Sequence, residues 1–324
     1  MLTALMLFCG CTEIPEAEEA VATTATEPEP QPYPVTAEGL VFNSSPSSVG
    51  SLSPAVTEII FELGFGDRLV CRSSYCDYPE EALAIPEAGS GANPDFDRIT
   101  DLHPELLITQ SPIANKDLNR LHEAGITVMQ LPVADSLDSL YNMYITLSEI
   151  FSGSIEGSDL AENAVSGLKA AMASAKGSCE SVLFIMNITS EGISAATGDT
   201  FAGDYVSHFG RNSASSGRSF FITSEELIEW DPQVIFLAHP LTADDIDTEI
   251  AEELSAFENE YVYVIDGSLL ERPTTRLESI TRSIAETVRE ATGGTSFEGG
   301  FAVIPEETEN VSTVDEDNDS ENVN

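Results

Sequence analysis

A fourteen-residue pattern occurs twice in this chain, 128 residues apart, and it restricts the fold more than any other feature. The first copy, 96–109, reads FDRITDLHPELLIT; the second, 224–237, reads SEELIEWDPQVIFL. In each, an acidic residue (Asp97 or Glu225) stands seven places before a proline (Pro104 or Pro232), with apolar residues between at helical spacing. After the proline comes a short apolar run of the kind that forms a buried strand. Proline ends the helix because its ring cannot continue the hydrogen-bond ladder and it forces the preceding residue out of the α region. Two copies of helix–proline–strand predict two similar α/β lobes. Each lobe would show one carboxylate at an equivalent surface position, with a cleft between the pair.

The rest of the chain alternates in the same way. A strand running into a loop is expected over 49–54 and further strands at 69–71, 105–109 and 126–131, with helices at 57–63, 95–103 and 117–124 between them. Short β–α connections of this kind build a parallel sheet covered on both faces. Residues 135–176 carry helical periodicity only, interrupted at Gly153 and Gly157. The β/α pattern then restarts with strand 182–186, helix 204–209, the second module, strand 261–265 and helix 275–291. The expected fold is α/β: two Rossmann-like lobes with central parallel sheets, bridged by a helical backbone, with a ligand cleft between the lobes. The lobes span 46–134 and 178–302, and the bridge spans 135–177.

A length of 324 residues and an apolar fraction of 42% suit two lobes with a real core. The charge is the anomaly: 56 acids against 13 bases give −43. Such a field repels nucleic acid and anionic lipid, so no nucleic-acid partner is expected. Depletion of lysine to Lys116, Lys169 and Lys176 resembles surfaces adapted to salt-rich surroundings, where screening relieves self-repulsion. Residues 1–11 are apolar and end in Cys-Gly-Cys, which resembles a bacterial lipobox with Cys11 as the lipidated residue. An acidic, proline- and threonine-rich tether over 12–45 would follow. An acidic, disordered tail is expected over 303–324. Of the remaining cysteines Cys71, Cys76 and Cys179, at most one pair can form, Cys71 with Cys76 across a tight turn, and buried free thiols are the favoured reading. No His/Cys spacing suggests a metal site.

Several loop sequences carry a family resemblance: Ser53-Pro54-Ala55-Val56-Thr57-Glu58, Ser73-Ser74-Tyr75-Cys76-Asp77-Tyr78-Pro79, Gly198-Asp199-Thr200-Phe201 and Arg272-Pro273-Thr274-Thr275-Arg276. With the two modules they resemble the substrate-binding proteins of ABC importers for cobalamin, iron-siderophores and haem, most nearly the cobalamin binders. The resemblance spans roughly residues 45–292. It implies that Asp97 and Glu225 dock into arginines of a membrane permease served by its ATPase. It also implies a flat metal chelate, corrinoid or iron-bearing, held between the lobes as cargo rather than as a cofactor. Tyr75 would stack on the macrocycle, beside Ser53 and Pro54, with Gln110 following the first module's strand. Phe220 and Phe221 would supply an aromatic face or belong to the core. Arg272 would bind a polar ligand edge or cap helix 275–291. His239 would ligate the chelated metal or serve as a hydrogen-bonded loop residue. The implied protein is a monomeric extracytoplasmic receptor that meets the membrane only through its lipid anchor.

An enzyme is the main rival class. Against it, the chain has no nucleophile elbow, phosphate-cradling glycine loop or HExxH motif. A zinc or manganese receptor would need clustered histidines, and the four present are scattered.

Overall fold

The computed structural model describes residues 31–190, 192–214, 221–293 and 302–303. The leader with Cys11, most of the tether, Phe220 and nearly all of the acidic tail lie outside these residues. The described chain opens with a hairpin, β1 (Val35–Ala37) and β2 (Leu40–Phe42). Val35 is buried in the main core, and the Tyr33 hydroxyl donates to the Ile150 carbonyl at 3.0 Å. The last third of the expected tether is therefore folded, because its apolar residues find a partner on the bridging helix.

The first lobe contains β3 (Val49–Ser51), α1 (Pro54–Glu62), β4 (Leu69–Arg72), α2 (Phe96–Leu102), β5 (Leu106–Thr109), α3 (Asn115–Glu123) and β6 (Thr127–Gln130). Its four strands are all parallel, in the order β4-β3-β5-β6. Along β5, Leu106 and Ile108 enter the main core, while Leu107 points to the other face and meets Ile99 of α2 and Leu121 of α3. Both faces are covered, so every residue of β5 is buried, and Leu106, Leu107 and Ile108 form an unbroken apolar run before Thr109.

The bridge, α4 (Leu137–Ala175), turns a corner at Gly153, where φ is 82° and ψ 163°. A Cβ on Gly157 would lie 2.5 Å from the Glu149 Cα, so only glycine permits the two halves to approach there. The interruption expected at these two glycines is this corner.

The second lobe follows with β7 (Ser181–Thr189), β8 (Gly192–Ala195), α5 (Phe201–Ser207), β9 (Arg211–Asn212), β10 (Phe221–Ile222), α6 (Ser224–Trp230) and β11 (Val234–Ala238). It continues with α7 (Thr248–Ala251), α8 (Ser255–Glu258), β12 (Val262–Ile265), α9 (Ser268–Glu271), α10 (Leu277–Thr292) and β13 (Ala302–Val303). The main path of its sheet is β10-β8-β7-β11-β12-β13, with β9 alongside β7. Strands β7, β11, β12 and β13 are parallel, as expected, but β8 and β10 add an antiparallel edge. That edge begins where β7 turns back on itself before Gly192, at φ 140°, too short a connection for a crossover helix.

One apolar core runs through both lobes. It joins Val49, Leu106 and Ile108 of the first sheet, through α1 and α4, to Phe184, Val234 and Phe236 of the second and to Ile284 and Val288 of α10. The outer face of each sheet has its own smaller cluster. Lobes that share a core across a helical bridge resist wide hinge opening.

Candidate functional site

Both module copies fold by the same local rules. In the first, the Asp95 carboxylate caps α2 by accepting from the Arg98 N–H at 2.9 Å; in the second, the Thr223 hydroxyl caps α6 by accepting from the Glu226 N–H at 3.1 Å. Each helix ends on a residue in the left-handed region, His103 at φ 47° and Asp231 at φ 37°, immediately before the proline. Asp97 and Glu225 fall at the same place in the first turn of their helices, and both are exposed. Asp97 pairs with Arg120 of α3. Among the described residues Glu225 makes no ion pair.

The helices run against their following strands, so their first turns lie at the C-terminal ends of the sheets. The Asp95 N–H donates to Ala88, whose own N–H donates to Arg72 at the end of β4. Ile222, one residue before the α6 cap, pairs with Ile193, which pairs with Ile188 near the end of β7.

The cleft candidates gather at the same ends. Ser53 follows β3, Tyr75 follows β4, Gln110 follows β5, His239 follows β11 and Arg272 lies beyond β12. In α/β sheets this is the edge where ligands bind. Tyr75 is 67% exposed, the most exposed aromatic among the described residues. His239 is exposed, and its bond to Pro240 is cis. Ser53 and Pro54, expected as loop residues, instead begin α1: Ser53 is its buried N-cap and Pro54 its first residue. The Ser53 hydroxyl donates to Gln110 Oε1, and Gln110 Nε2 donates to the Pro132 carbonyl at 3.0 Å. The Gln110 amide is thus a strut between two cleft-edge connections. Next to its acceptor, Val133 is 59% exposed, an apolar rim residue that no sequence motif marked.

Between the lobes lies a polar seam that the sequence reading did not assemble. Arg272 Nη1 reaches Asp77 Oδ1 at 2.6 Å, and its Nε stands 3.9 Å from Glu58 Oε1. Arg276 Nη1 lies 3.4 Å from Glu58 Oε2, and its guanidinium stacks 3.9 Å from the centre of the Tyr78 ring. Glu58 is fully buried, and its Oε1 accepts no hydrogen bond. Burial pushes its carboxyl up to about 7 against the opposing pull of Arg276 and Arg272. One turn on, burial raises Glu62 despite the hydrogen bond from the Tyr144 hydroxyl, which in turn accepts from the Thr275 N–H at 2.9 Å. A carboxylate set among apolar residues in the α1 sequence was the available signal, since a buried acid needs a cation. All the other members except Glu62 and Tyr144 stand inside the loop motifs quoted for the family resemblance.

Cys71 and Cys76 are buried free thiols, not a disulfide. Burial pushes Cys71 up to about 12 and raises Cys76, so both are protonated and unreactive near neutrality. Among the described residues no helix is long and apolar enough to cross a membrane.

Comparison with known proteins places these features in context. The profile of the periplasmic binding protein family matches residues 49–269. The ABC transporter substrate-binding lipoprotein YvrC of Bacillus subtilis is 24% identical over 307 residues, covering 89% of this chain and 95% of that one. The vitamin B12-binding protein of Vibrio campbellii is 26% identical over 260 residues, covering 76% of this chain and 92% of its own. Among solved structures, the vitamin B12-binding protein BtuF of Vibrio cholerae shares the fold with a TM-score of 0.62 at 23% identity, over 76% of this chain and 98% of that one. The periplasmic haem-binding protein BhuT, with two haems bound, does so at 0.64 and 20% identity, over 75% and 98%.

Proposed function

Because this chain belongs to the periplasmic binding protein family, we propose that it is an extracytoplasmic receptor that captures a metal-chelate nutrient and hands it to an ABC permease. The favoured cargo is cobalamin or another corrinoid. The observation that carries the reading is the shared placement of all described candidates, ligand-facing and docking, at the C-terminal ends of two sheets joined by one core. Tyr75 offers a flat apolar face with a polar tip, suited to a macrocycle. Val133 extends the apolar rim, Gln110 fixes the loops beneath it, and His239 stands opposite on the second lobe as a polar contact or metal ligand. Asp97 and Glu225, one per lobe, would enter arginine pockets of the permease, where charge pairing sets orientation and on-rate. Cys11 would carry the lipid that holds the receptor at the outer face of the membrane, a reading supported by the lipoprotein designation of YvrC.

Calorimetric titration of the chain in high salt against cyanocobalamin, haem and a ferric-siderophore panel tests this. One-to-one binding of cyanocobalamin with a dissociation constant below about 1 µM is the expected result. Tight binding of an iron chelate alone would replace the cargo and leave the receptor role standing. Folded protein that binds nothing in the panel would overturn the metal-chelate reading.

A further inference from the structure

The Arg272 guanidinium, expected to meet a polar ligand edge, is already occupied. Arg272 follows β12 and α9 in the second lobe, and it reaches across to Asp77, two residues beyond Tyr75 in the same first-lobe loop. Its Nη1 is 2.6 Å from Asp77 Oδ1, and its Nε faces the buried Glu58 Oε1 at 3.9 Å, an oxygen with no hydrogen bond of its own. Arg276, the neighbouring cation, is likewise taken up by Glu58 and by the face of Tyr78. The Arg272 side chain is 25% exposed and Asp77 is 59% exposed, so the pair sits at the rim and not deep in the seam.

Resting on the receptor reading above, we propose that Asp77 is a specificity-determining residue: by holding Arg272 it withholds the guanidinium from the ligand, so the cleft favours a neutral, amide-edged chelate over one with carboxylate edges. At the N–H groups that Asp77 leaves free, a ligand carboxylate would meet the repulsion of the Asp77 charge, and it could escape that only by displacing Asp77. That exchanges one charge-assisted pair for another and gains little. It would also bring an anion toward a protein of net charge −43. An uncharged amide edge meets neither penalty, and it can accept from whichever Arg272 N–H groups Asp77 leaves free.

Four full-length proteins test this: wild type, Asp77→Asn, Asp77→Glu and the double variant Asp77→Asn with Arg272→Gln. Each is titrated with cyanocobalamin, whose corrin carries amides, and with haemin, which carries two carboxylates. Asp77→Asn should raise haemin affinity relative to cyanocobalamin about tenfold, the value of one charged hydrogen bond. Asp77→Glu should keep the wild-type ratio within about twofold, since it retains the charge. The double variant should lose the rise. An unchanged ratio in folded Asp77→Asn, or an equal rise in the double variant, overturns the role of Asp77 while receptor function stands. Binding of neither ligand by any of the four overturns the cargo reading, and the proposal with it.

Discussion

In the first lobe the module's carboxylate is held by a neighbouring cation, Arg120 on Asp97, whereas Glu225 in the second lobe stands clear of any ion pair among the described residues. The surroundings differ too. The first sheet is wholly parallel and ends at β6, while the second carries an antiparallel edge in β8 and β10 just before its module. The local rule, a capped seven-residue helix closed by a left-handed residue and a proline, survives in both. What has diverged is what each copy touches. A repeated segment thus keeps the interactions that make it fold and is free to change those that face outward.

The largest expected effect separates docking from binding. Replacing both carboxylates, Asp97→Lys with Glu225→Lys, should abolish permease-dependent uptake while ligand affinity stays within about twofold. The pairing of Asp97 refines this. Arg120→Gln should strengthen association with the permease by up to about fivefold, because the exposed ion pair no longer competes. Normal uptake by the double reversal would remove the docking role from both modules. Weaker association after Arg120→Gln would make Arg120 a helper and not a competitor.

Next in size is the packing that the copies share. Ile99 and Leu227 occupy the same position in their helices, and each is fully buried against the outer face of its sheet. Alanine at either should cost about 2–5 kcal/mol. Since one core joins the lobes, both variants should lower a single cooperative thermal transition. Two separable transitions in calorimetry would show that the lobes unfold independently and that the shared core couples them weakly.

The seam between the lobes gives a pH-dependent test of the same coupling. The Glu58 carboxyl is raised by burial from 4.5 to about 7. Stability tied to its proton is therefore fully present below about pH 4.5 and lost as pH rises through about 7. Glu58→Gln resembles the protonated form, so its stability relative to wild type should climb across that window, by up to about 3 kcal/mol at pH 8. Glu62, whose charge adds to the rise of Glu58, is present in both proteins, and only its coupling to Glu58 enters the difference. Denaturant melts at pH 5 and pH 8 that give the same difference would mean that Arg272 and Arg276 fully offset the burial of Glu58.

These tests divide along the line between what the chain's pattern reveals and what only three dimensions assemble. The modules, the parallel strands and the corner at Gly153 and Gly157 were legible because each depends on neighbours in sequence: apolar period, proline, glycine. Strands β9 and β10 were not, being too short to show a period, and β8, though as long as β5, reads Gly-Ile-Ser-Ala and lacks its apolar run. Tyr75 and Arg272 were legible only as members of resembling loops, and Gln110 and His239 only by their places after the two modules. The sequence said nothing of Gln110 as a strut, because its partners Ser53 and Pro132 come from two other connections. Nor could it join Arg272 to Asp77, 195 residues away, since an exposed-looking acid and arginine give no sign of each other until the lobes are placed.

The smallest expected effect lies at the helix ends, where the two copies look most alike. His103 and Asp231 both adopt the left-handed conformation, which costs an L-residue free energy that glycine avoids. His103→Gly should therefore stabilise by about 0.5–1 kcal/mol, the conformational gain partly offset by greater unfolded-chain freedom. Asp231→Gly should do the opposite. The Asp231 Oδ1 accepts from both the N–H and the hydroxyl of Ser255 at 2.8 Å, tying the end of α6 to the start of α8. Aspartate also tolerates the left-handed region better than histidine does, so less strain is relieved. Loss of those two bonds should leave a net cost of about 1–2 kcal/mol. Opposite signs in chemical denaturation would show that one backbone device has acquired a tertiary role in the second lobe only. A gain in both would mean that the Ser255 bonds contribute nothing beyond what water supplies, and the two helix ends would then be equivalent in energy as well as in shape.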